Sequence, residues 1–281
     1  MEKLPVRVTV RGSLGTLVLR PPQGLEDSLP PPKDRIRAAG EGLAPSLEPV
    51  TAYAQRTVTI LLPALNEEAA IGHVLDELPL DGLRSRGYLP DVLIVDGHST
   101  DGTAAIALSR GAVVLKQLGR GKGWAVRTGL EATNTDYLIM LDADHTYPAN
   151  AIPEFLAHLE NEADVVVGSR IKGSIEEGAM RPLNVIGNKA LSFLASTLYG
   201  HRISDVCSGM WAFGPRAKEL LNLNSKGFEV EAEIFAQTMK EGLRVKEVPI
   251  AYRKRLGRQK LGSVTDGISI ASKLVRKRFV R

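Results

Sequence analysis

The chain has little of what disulfide-bonded or membrane-spanning proteins need. Cys207 is the only cysteine among 281 residues, which rules out an intrachain disulfide and a zinc cluster of thiolates. The N-terminal residues lack the apolar core of a signal peptide, and no run of 18 apolar residues occurs. We therefore expect a reducing, cytoplasmic compartment and no bilayer-spanning segment in this sequence.

Hydrophobic residues make up 43% of the chain and charged residues 24%, values typical of a folded protein with one large core. The net charge of +4 is unevenly distributed, because residues 253–281 contain ten Lys or Arg and one Asp, which leaves the rest of the chain acidic. A basic end on an acidic body predicts a local anionic partner rather than a nucleic-acid-binding domain.

Three segments can be distinguished along the chain. Residues 1–55 are predicted to form an N-terminal extension, in which alternating apolar residues indicate a β-hairpin over 6–20 and a proline-rich linker follows it. Residues 56–262 are predicted to form the main domain. Residues 263–281 are predicted to form a basic amphipathic helix.

Short apolar strands alternate with helices in the main domain. Strands are predicted for TVTILLPAL, DVLIVD, AVVLKQ, DYLIMLDAD and ADVVVGSR, and helices for residues 67–78, 103–109, 123–131 and 151–159. This α/β alternation predicts a mixed, mainly parallel sheet with helices on both faces. Ligands of such sheets bind at the carboxyl ends of the strands, so the site residues are expected there.

Two carboxylates, Asp142 and Asp144, leave the predicted sheet together after Leu141. Carboxylate oxygens are ligands that Mg²⁺ and Mn²⁺ prefer, and such a cation can bridge the oxygens of a diphosphate. The alternative is a solvated turn whose acids cap the helix at Ala151. Lys122 lies in a Gly-Lys-Gly at a helix start, where it could face a phosphate or form part of a flexible, solvated loop.

Eight motifs occur in order between about Thr57 and Gly262: PALNEE, VDGHSTDGT, GRGKG, DADHTYP, GSR, DVCSGMWAFG, GFEVEAEI and YRKRLGRQKLG. The series resembles the inverting family 2 glycosyltransferases with the GT-A fold. Within that family it is most similar to dolichyl-phosphate mannose synthases and related polyprenyl-phosphate sugar transferases. Residues 1–55 have no counterpart in the resemblance.

The resemblance implies the reaction and its substrates. We expect transfer of a single hexose, with mannose from GDP-mannose as the first candidate, to a polyprenyl (dolichyl) phosphate. It also implies a divalent metal ion, Mn²⁺ or Mg²⁺, held mainly by Asp144. Asp142 is expected to bind the ribose, the metal-bound water or the metal, and Lys122 is expected to lie near the donor sugar and diphosphate.

On the donor side, the resemblance assigns the nucleoside site to four residues: Pro63, Leu65, Glu67 and Asp96. Glu67 could instead cap a helix through the helix dipole, and Asp96 could simply end a strand. The family's usual Val-Asp-Asp-Gly-Ser is altered in this chain, because Gly97 and His98 stand where Asp and Gly are common. Recognition of the base in this loop therefore stays open.

On the acceptor side, the resemblance implies that cations hold the lipid phosphate and close over both substrates: Arg170, Arg181, Arg255 and Lys260. Each could instead be a solvated surface charge. A phosphate acceptor is already an anion, whereas a hydroxyl acceptor would need a base, for which the candidates are Asp205, Glu229 and Glu231. Asp205 also matches the family's Asp-x-x-Ser/Thr-Gly, where the acid helps hold the active site.

The last segment carries five apolar residues at helical spacing: Val264, Ile268, Ala271, Val275 and Phe279. Most of its basic residues fall elsewhere around the helix. A basic amphipathic helix of this kind can bind an anionic membrane surface, which predicts a peripheral position at the cytoplasmic face of the membrane. The alternative is a domain helix that packs on the core and exposes one solvated face.

Three other functions stay open at this stage. One is a transferase that uses a UDP-sugar, glucose or N-acetylglucosamine, and a lipid phosphate or hydroxyl acceptor. A sugar-phosphate nucleotidyltransferase is disfavoured, because PALNEE after the first strand is acidic where that class has a glycine-rich, basic loop. A non-catalytic nucleotide-sugar-binding protein is disfavoured because four motif residues occur together: Asp142, Asp144, Asp205 and Lys260.

Overall fold

The computed structural model describes residues 18–19, 55–257 and 263–280. Its strands are β1 (Val18–Leu19), β2 (Arg56–Ala64), β3 (Tyr88–Asp96), β4 (Val113–Lys116), β5 (Tyr137–Met140), β6 (Val165–Ile175), β7 (Trp211–Phe213) and β8 (Val245–Tyr252). Its α-helices are α1 (Ile71–Asp76), α2 (Leu80–Ser85), α3 (Thr103–Ser109), α4 (Lys122–Ala132), α5 (Ile152–Asn161), α6 (Pro182–Tyr199), α7 (Pro215–Leu220), α8 (Val230–Lys240) and α9 (Ser263–Phe279). Except for β1, the predicted hairpin and linker lie outside the described residues, as does Lys260.

The described strands form one sheet in the order β1-β4-β3-β2-β5-β7-β6-β8. Strands β4, β3, β2 and β5 run parallel, and β6 runs parallel to β8. β7 lies antiparallel between β5 and β6, and β1 adds an antiparallel edge to β4. The prediction of a mixed, mainly parallel sheet is confirmed. The sequence pattern did not predict β7, because three fully buried residues are too few to show a period.

Helices cover both faces of this sheet, as predicted. One buried cluster includes Val74 of α1, Ala107 of α3 and Phe155 of α5. The other includes residues of α4, α6, α8 and α9: Val126, Ala195, Phe235 and Leu274. Ile60 and Leu61 of β2 belong to opposite clusters and are both fully buried. A strand buried on both faces shows a continuous apolar run, which is why β2 was recognisable in the sequence.

The segment after β2 differs from its prediction. The predicted helix begins at Glu67, but α1 begins at Ile71. A turn occupies the intervening residues, and the backbone N–H groups of Ala70 and Ile71 both donate to the Glu67 carbonyl, at 2.9 and 2.8 Å. The Glu67 N–H itself donates to Thr103 Oγ1 at 2.8 Å. Hydrogen bonds across to α3 therefore fix the chain where it leaves β2.

The predicted apolar face of α9 does not pack on the core. Ile270 and Leu274 are the residues that pack into the core, at 5% and 0% exposure. Three residues of the predicted face are exposed instead: Ile268, Val275 and Phe279. Lys277 reaches inward to the fully buried Glu233 at 2.5 Å, so the helix is turned with part of its basic side towards α8. No helix in the described ranges is long and apolar enough to cross a bilayer.

We expect Leu274→Ala to lower the free energy of unfolding by about 2–5 kcal/mol, because it leaves a cavity where α9 packs on the core. Val275→Ala, one residue further along, removes a 41% exposed side chain and should cost at most about 0.5 kcal/mol. Urea unfolding followed by circular dichroism measures both. Equal losses in the two variants would contradict the observed orientation of α9.

Candidate active site

A cleft of about 800 Å³ opens at the carboxyl ends of β2, β3, β4 and β5. The backbone turns sharply around it. Asn66 after β2, His98 after β3 and His145 after β5 have positive φ angles of 48°, 69° and 68°. This conformation is uncommon for residues other than glycine and clusters at functional sites. The cleft thus lies where the strand-end rule predicts a ligand site.

Lys122, the first residue of α4, joins two carboxylates from different elements. Its Nζ lies 2.5 Å from Asp142 Oδ1, after β5, and 2.5 Å from Glu231 Oε1, on α8. Burial lowers the pKa of Lys122, but the two carboxylates outweigh burial and raise this pKa above its usual value. Burial also raises the pKa of Glu231. A fixed positive charge therefore stands beside Asp142.

Asp144, the second acid of the pair, is 3% exposed. Its Oδ1 accepts hydrogen bonds from Thr146 N at 3.1 Å and from Thr146 Oγ1 at 2.6 Å. Its Oδ2 accepts from Arg255 Nε at 2.8 Å and also from Nη2. Burial raises the pKa of Asp144, but Arg255 and Thr146 outweigh burial and hold it below its usual value. The carboxylate is therefore ionised and neutralised by a cation that follows β8.

The predicted nucleoside residues separate into two groups. Pro63, Leu65 and Glu67 line the cleft. The Asp96 side chain does not line it, because its carboxylate turns back to the Ser99 N–H, 3.2 Å from each oxygen. Gly97 and Gln117 line this end of the cleft. Sequence reasoning missed Gln117, since it belongs to no motif and reads as the polar end of a short strand.

Arg170 and Asp205 form a buried pair behind the cleft wall. Asp205 is fully buried, and its oxygens accept from Arg170 Nε and Nη2, both at 2.7 Å, from Arg170 N at 2.9 Å, and from Asn188 Nδ2 at 2.8 Å. The guanidinium carbon of Arg170 lies 5.2 Å from the Tyr252 ring centre. These contacts occupy the Asp205 carboxylate, which is not among the groups that line the cleft. Arg170 lines the cleft, but its planar fork is bound to Asp205.

Two cations line the cleft near α6. Arg181 precedes the first residue of α6, and its carbonyl accepts from the Asn184 N–H at 2.9 Å. Lys254, which sequence reasoning missed, also lines the cleft, and its Nζ lies 3.7 Å from Glu176 Oε1. The predicted partner Lys260 is outside the described residues. Arg181 and Lys254 therefore offer the cleft cationic groups that can bind an anionic ligand.

We expect Lys122→Met to lower the free energy of unfolding by about 3–5 kcal/mol, because the buried carboxylates lose their shared cation. The loss should be larger at pH 8 than at pH 5. Without Lys122, the pKa of Glu231 in the folded state lies further above its value in the unfolded state. At low pH Glu231 is protonated in both states and does not lower the stability of the variant, which falls as pH rises through the folded-state pKa of Glu231. Urea unfolding in metal-free buffer measures this, with the exposed Lys189→Met as control. A pH-independent loss would argue against the bridge.

Two named relatives align with most of this chain. Over 228 residues it is 34% identical to the dolichyl-phosphate hexose transferase of Haloferax volcanii, which covers 81% of this chain and 96% of that protein. Over 215 residues it is 35% identical to the low-salt glycan biosynthesis hexosyltransferase Agl6 of the same organism, with 75% of this chain covered. The chain spans about half, 51%, of the length of Agl6.

The fold also has a solved counterpart. Glucosyl-3-phosphoglycerate synthase from Mycobacterium tuberculosis, crystallised with Mn²⁺ and UDP-glucose, superposes with a TM-score of 0.65 at 25% identity, covering 82% of each chain. Residues 59–219 match the family described as Glycosyl transferase family 2. With strand-end acids, a mainly parallel sheet and this match over more than half its length, the chain belongs to glycosyltransferase family 2 and has the GT-A fold.

Proposed function

We propose that this protein is a metal-dependent inverting glycosyltransferase that moves a single hexose from a nucleoside diphosphate to a polyprenyl phosphate such as dolichyl phosphate. The observation that carries the proposal is the pairing of Asp142 with Lys122 and of Asp144 with Arg255 in one cleft. Such a site can exchange its internal ion pairs for a divalent cation on the carboxylates and a diphosphate on the cations.

The residues present fit a divalent metal ion, Mn²⁺ or Mg²⁺. Asp142 and Asp144 offer carboxylate oxygens in the cleft wall. Within the described ranges, no group of three or more His, Cys, Asp or Glu comes together as a complete metal site. Two carboxylates plus the phosphate oxygens of a substrate are a common way to hold such an ion. When bound, the ion neutralises charge on the departing diphosphate, and the structural neighbour crystallised with Mn²⁺ and UDP-glucose supports this assignment.

The state of the cleft acids favours a phosphate acceptor. In the described part of the chain, every acid that lines the cleft is already engaged by another group: Glu67, Asp142, Asp144, Glu231 and Asp266. A hydroxyl acceptor needs a base to take its proton, whereas a phosphate monoester attacks as an anion. Arg181 and Lys254 supply positive charge where this anion would bind. The named dolichyl-phosphate relative supports the same acceptor class.

Two donors are candidates for the hexose. The motif resemblance favours mannose from GDP-mannose. The UDP-glucose bound by the structural neighbour favours glucose from UDP-glucose. The cations proposed to bind the acceptor phosphate would do so with either donor. The proposal therefore holds for both donors, and the transfer experiment distinguishes them.

We also propose that the protein binds a membrane surface through α6 and α9. The two helices pack side by side, since Tyr199 Oη donates to the Leu274 carbonyl at 2.9 Å and Arg278 Nε to the Leu198 carbonyl at 2.8 Å. Each exposes an apolar stripe, formed by Leu183, Ile186 and Phe193 on α6 and by Ile268, Val275 and Phe279 on α9. Exposed apolar side chains beside basic ones are typical of peripheral membrane binding.

The same helices border the cleft. Leu183 of α6 and Gly267 of α9, both near the helix starts, line its wall. A surface that rests on the bilayer through these helices would bring the cleft to the level of the lipid headgroups. The phosphate of a polyprenyl lipid could then reach Arg181 while its chain stays in the membrane. In our proposal the protein therefore lies at the membrane periphery, on the cytoplasmic face.

The transfer experiment incubates the protein with Mn²⁺, dolichyl phosphate and radiolabelled GDP-mannose or UDP-glucose. We expect label in the organic phase with one donor. Asp144→Asn should lower the rate by about 100-fold or more, because it removes a charged group that would stabilise the reacting diphosphate through its metal ion. Asp81→Asn, in which the changed side chain is 98% exposed, serves as the matched control.

Other results of this incubation, and of parallel ones with other donors or a nucleoside triphosphate, distinguish the remaining functions. Failure of all donors to label the lipid would reject the acceptor class. Release of pyrophosphate from a nucleoside triphosphate would favour a nucleotidyltransferase. Tight donor binding without transfer to any acceptor would favour a binding protein.

For the membrane surface, we expect Phe193→Glu to weaken binding to anionic vesicles by about tenfold or more, because it puts a charge on the exposed apolar stripe. Vesicle flotation with phosphatidylglycerol-containing liposomes measures this. Leu89→Glu alters another exposed leucine, at 45% exposure, at the opposite end of the strands and should leave binding unchanged. Equal binding of wild-type protein and Phe193→Glu would reject this surface.

A further inference from the structure

Gln117 is a buried polar residue of the cleft to which the proposed reaction assigns no role. It follows β4, is 3% exposed and lines the cleft together with Leu65 and Gly97. Its Nε2 donates to the Gly119 carbonyl at 2.9 Å, which fixes the orientation of the amide. Its Oε1 is buried and finds no hydrogen-bond donor among the described residues. A buried amide oxygen is costly in this state, so a ligand is expected to satisfy it.

The Gly119 carbonyl that orients Gln117 has a second neighbour. His98 Nε2, on the loop after β3, lies 3.1 Å from the same oxygen. His98 holds its ring there from a left-handed backbone conformation, with φ at 69°. The loop after β3 and the segment after β4 are therefore joined around the one carbonyl to which the Gln117 amide donates.

Gly97 lies close to the Ala64 carbonyl and to Leu65, with Gln117 at ordinary contact distance. A Cβ at Gly97 would lie 3.2 Å from the Ala64 carbonyl oxygen, 3.3 Å from Leu65 Cβ and 3.6 Å from Gln117 Nε2. The similar family commonly has an acid at this position, and no side chain projects from it in this chain. An acceptor is still present at this end of the cleft, because the Gln117 oxygen is adjacent.

The position of Gln117 suits the base of a bound nucleotide. In the sheet, β4 is separated from β5 by β3 and β2, and three strand spacings amount to about 14 Å. Asp142 and Asp144 follow β5, where the diphosphate is proposed to bind. An extended nucleoside diphosphate that crosses the end of β2 would bring its base to β3 and β4.

We propose that Gln117 selects the nucleobase of the donor by accepting a hydrogen bond from a ring N–H at its Oε1. The inference rests on the proposed nucleotide-sugar function. Uracil carries such a group at N3 and guanine at N1, whereas neutral adenine and cytosine donate on their base-pairing edge only from an exocyclic amino group. The site therefore accepts uridine and guanosine diphosphates and disfavours those of adenosine and cytidine, whose donor lies outside the ring and away from the position of the ring N–H.

Titration calorimetry of nucleoside diphosphates with Mn²⁺ tests this assignment. Wild-type protein should bind UDP or GDP at least about tenfold more tightly than the same nucleotide methylated at N3 or N1. Gln117→Leu has a similar size but no acceptor, so it should bind the unmethylated nucleotide about ten- to 100-fold more weakly and should not distinguish the methylated form. Ribose 5-diphosphate, which has no base, should bind both proteins equally and so reports an intact fold and diphosphate site.

The outcomes separate this inference from the proposed function. If wild-type protein and Gln117→Leu bind UDP and GDP equally, the role of Gln117 is rejected and the transferase proposal stands. Wild-type protein that tolerates methylation also rejects it, without need of a variant. Asp96→Asn tests the other residue assigned to the nucleoside; if that variant loses base discrimination and Gln117→Leu keeps it, the role moves to Asp96. If wild-type protein binds no nucleotide, both proposals fail.

Discussion

Burial of charge at the end of β5 is the constraint on which the cleft depends. Lys122 of α4 lies 2.5 Å from Asp142 after β5 and from Glu231 on α8, so one ammonium group ties three elements together. Loss of one partner from such a buried set costs several kcal/mol, which prevents these elements from shifting independently. Glycines allow the approach, because a Cβ at Gly123 would lie only 2.5 Å from the Ser225 carbonyl oxygen. The polar cleft is thus also a packing junction of the sheet and two helices.

A second buried acid connects α9 to the same junction. Glu233 is fully buried and accepts from the backbone N–H groups of Asn224 and Ser225, while Lys277 of α9 lies 2.5 Å from it. The Ser225 carbonyl is the group that Gly123 approaches at the start of α4. The helix with the exposed apolar stripe is therefore packed, through Glu233 and one short loop, against the segment that presents Lys122. The exposed apolar stripe of α9 and the Lys122 end of the cleft are therefore supported by the same residues.

Much of the fold could be predicted because its signals are local. The apolar runs of β2, β3 and β5 are recognisable without a partner, and α3 has the predicted bounds. Elements defined by long-range packing were harder to predict. The three residues of β7 are a strand only because β5 and β6 flank them. The inward face of α9 was not predicted, because Lys277 is paired with Glu233, 44 positions earlier in the sequence. Periodicity treats a lysine as outward-facing and cannot register a buried acid that neutralises it.

The sequence by itself determined the family resemblance, the α/β alternation and the adjacency of Asp142 and Asp144, since these follow from motif order, short-range periodicity and a spacing of two residues. Tertiary structure decided what each charge does. It paired Asp205 with Arg170 and Asp144 with Arg255, and it paired both Asp142 and Glu231 with Lys122. It also bound the Asp96 carboxylate to the Ser99 N–H and brought Gln117 into the cleft wall. The physical reason is that buried charges and amides must find partners, and those partners come from strands and helices that are distant in sequence.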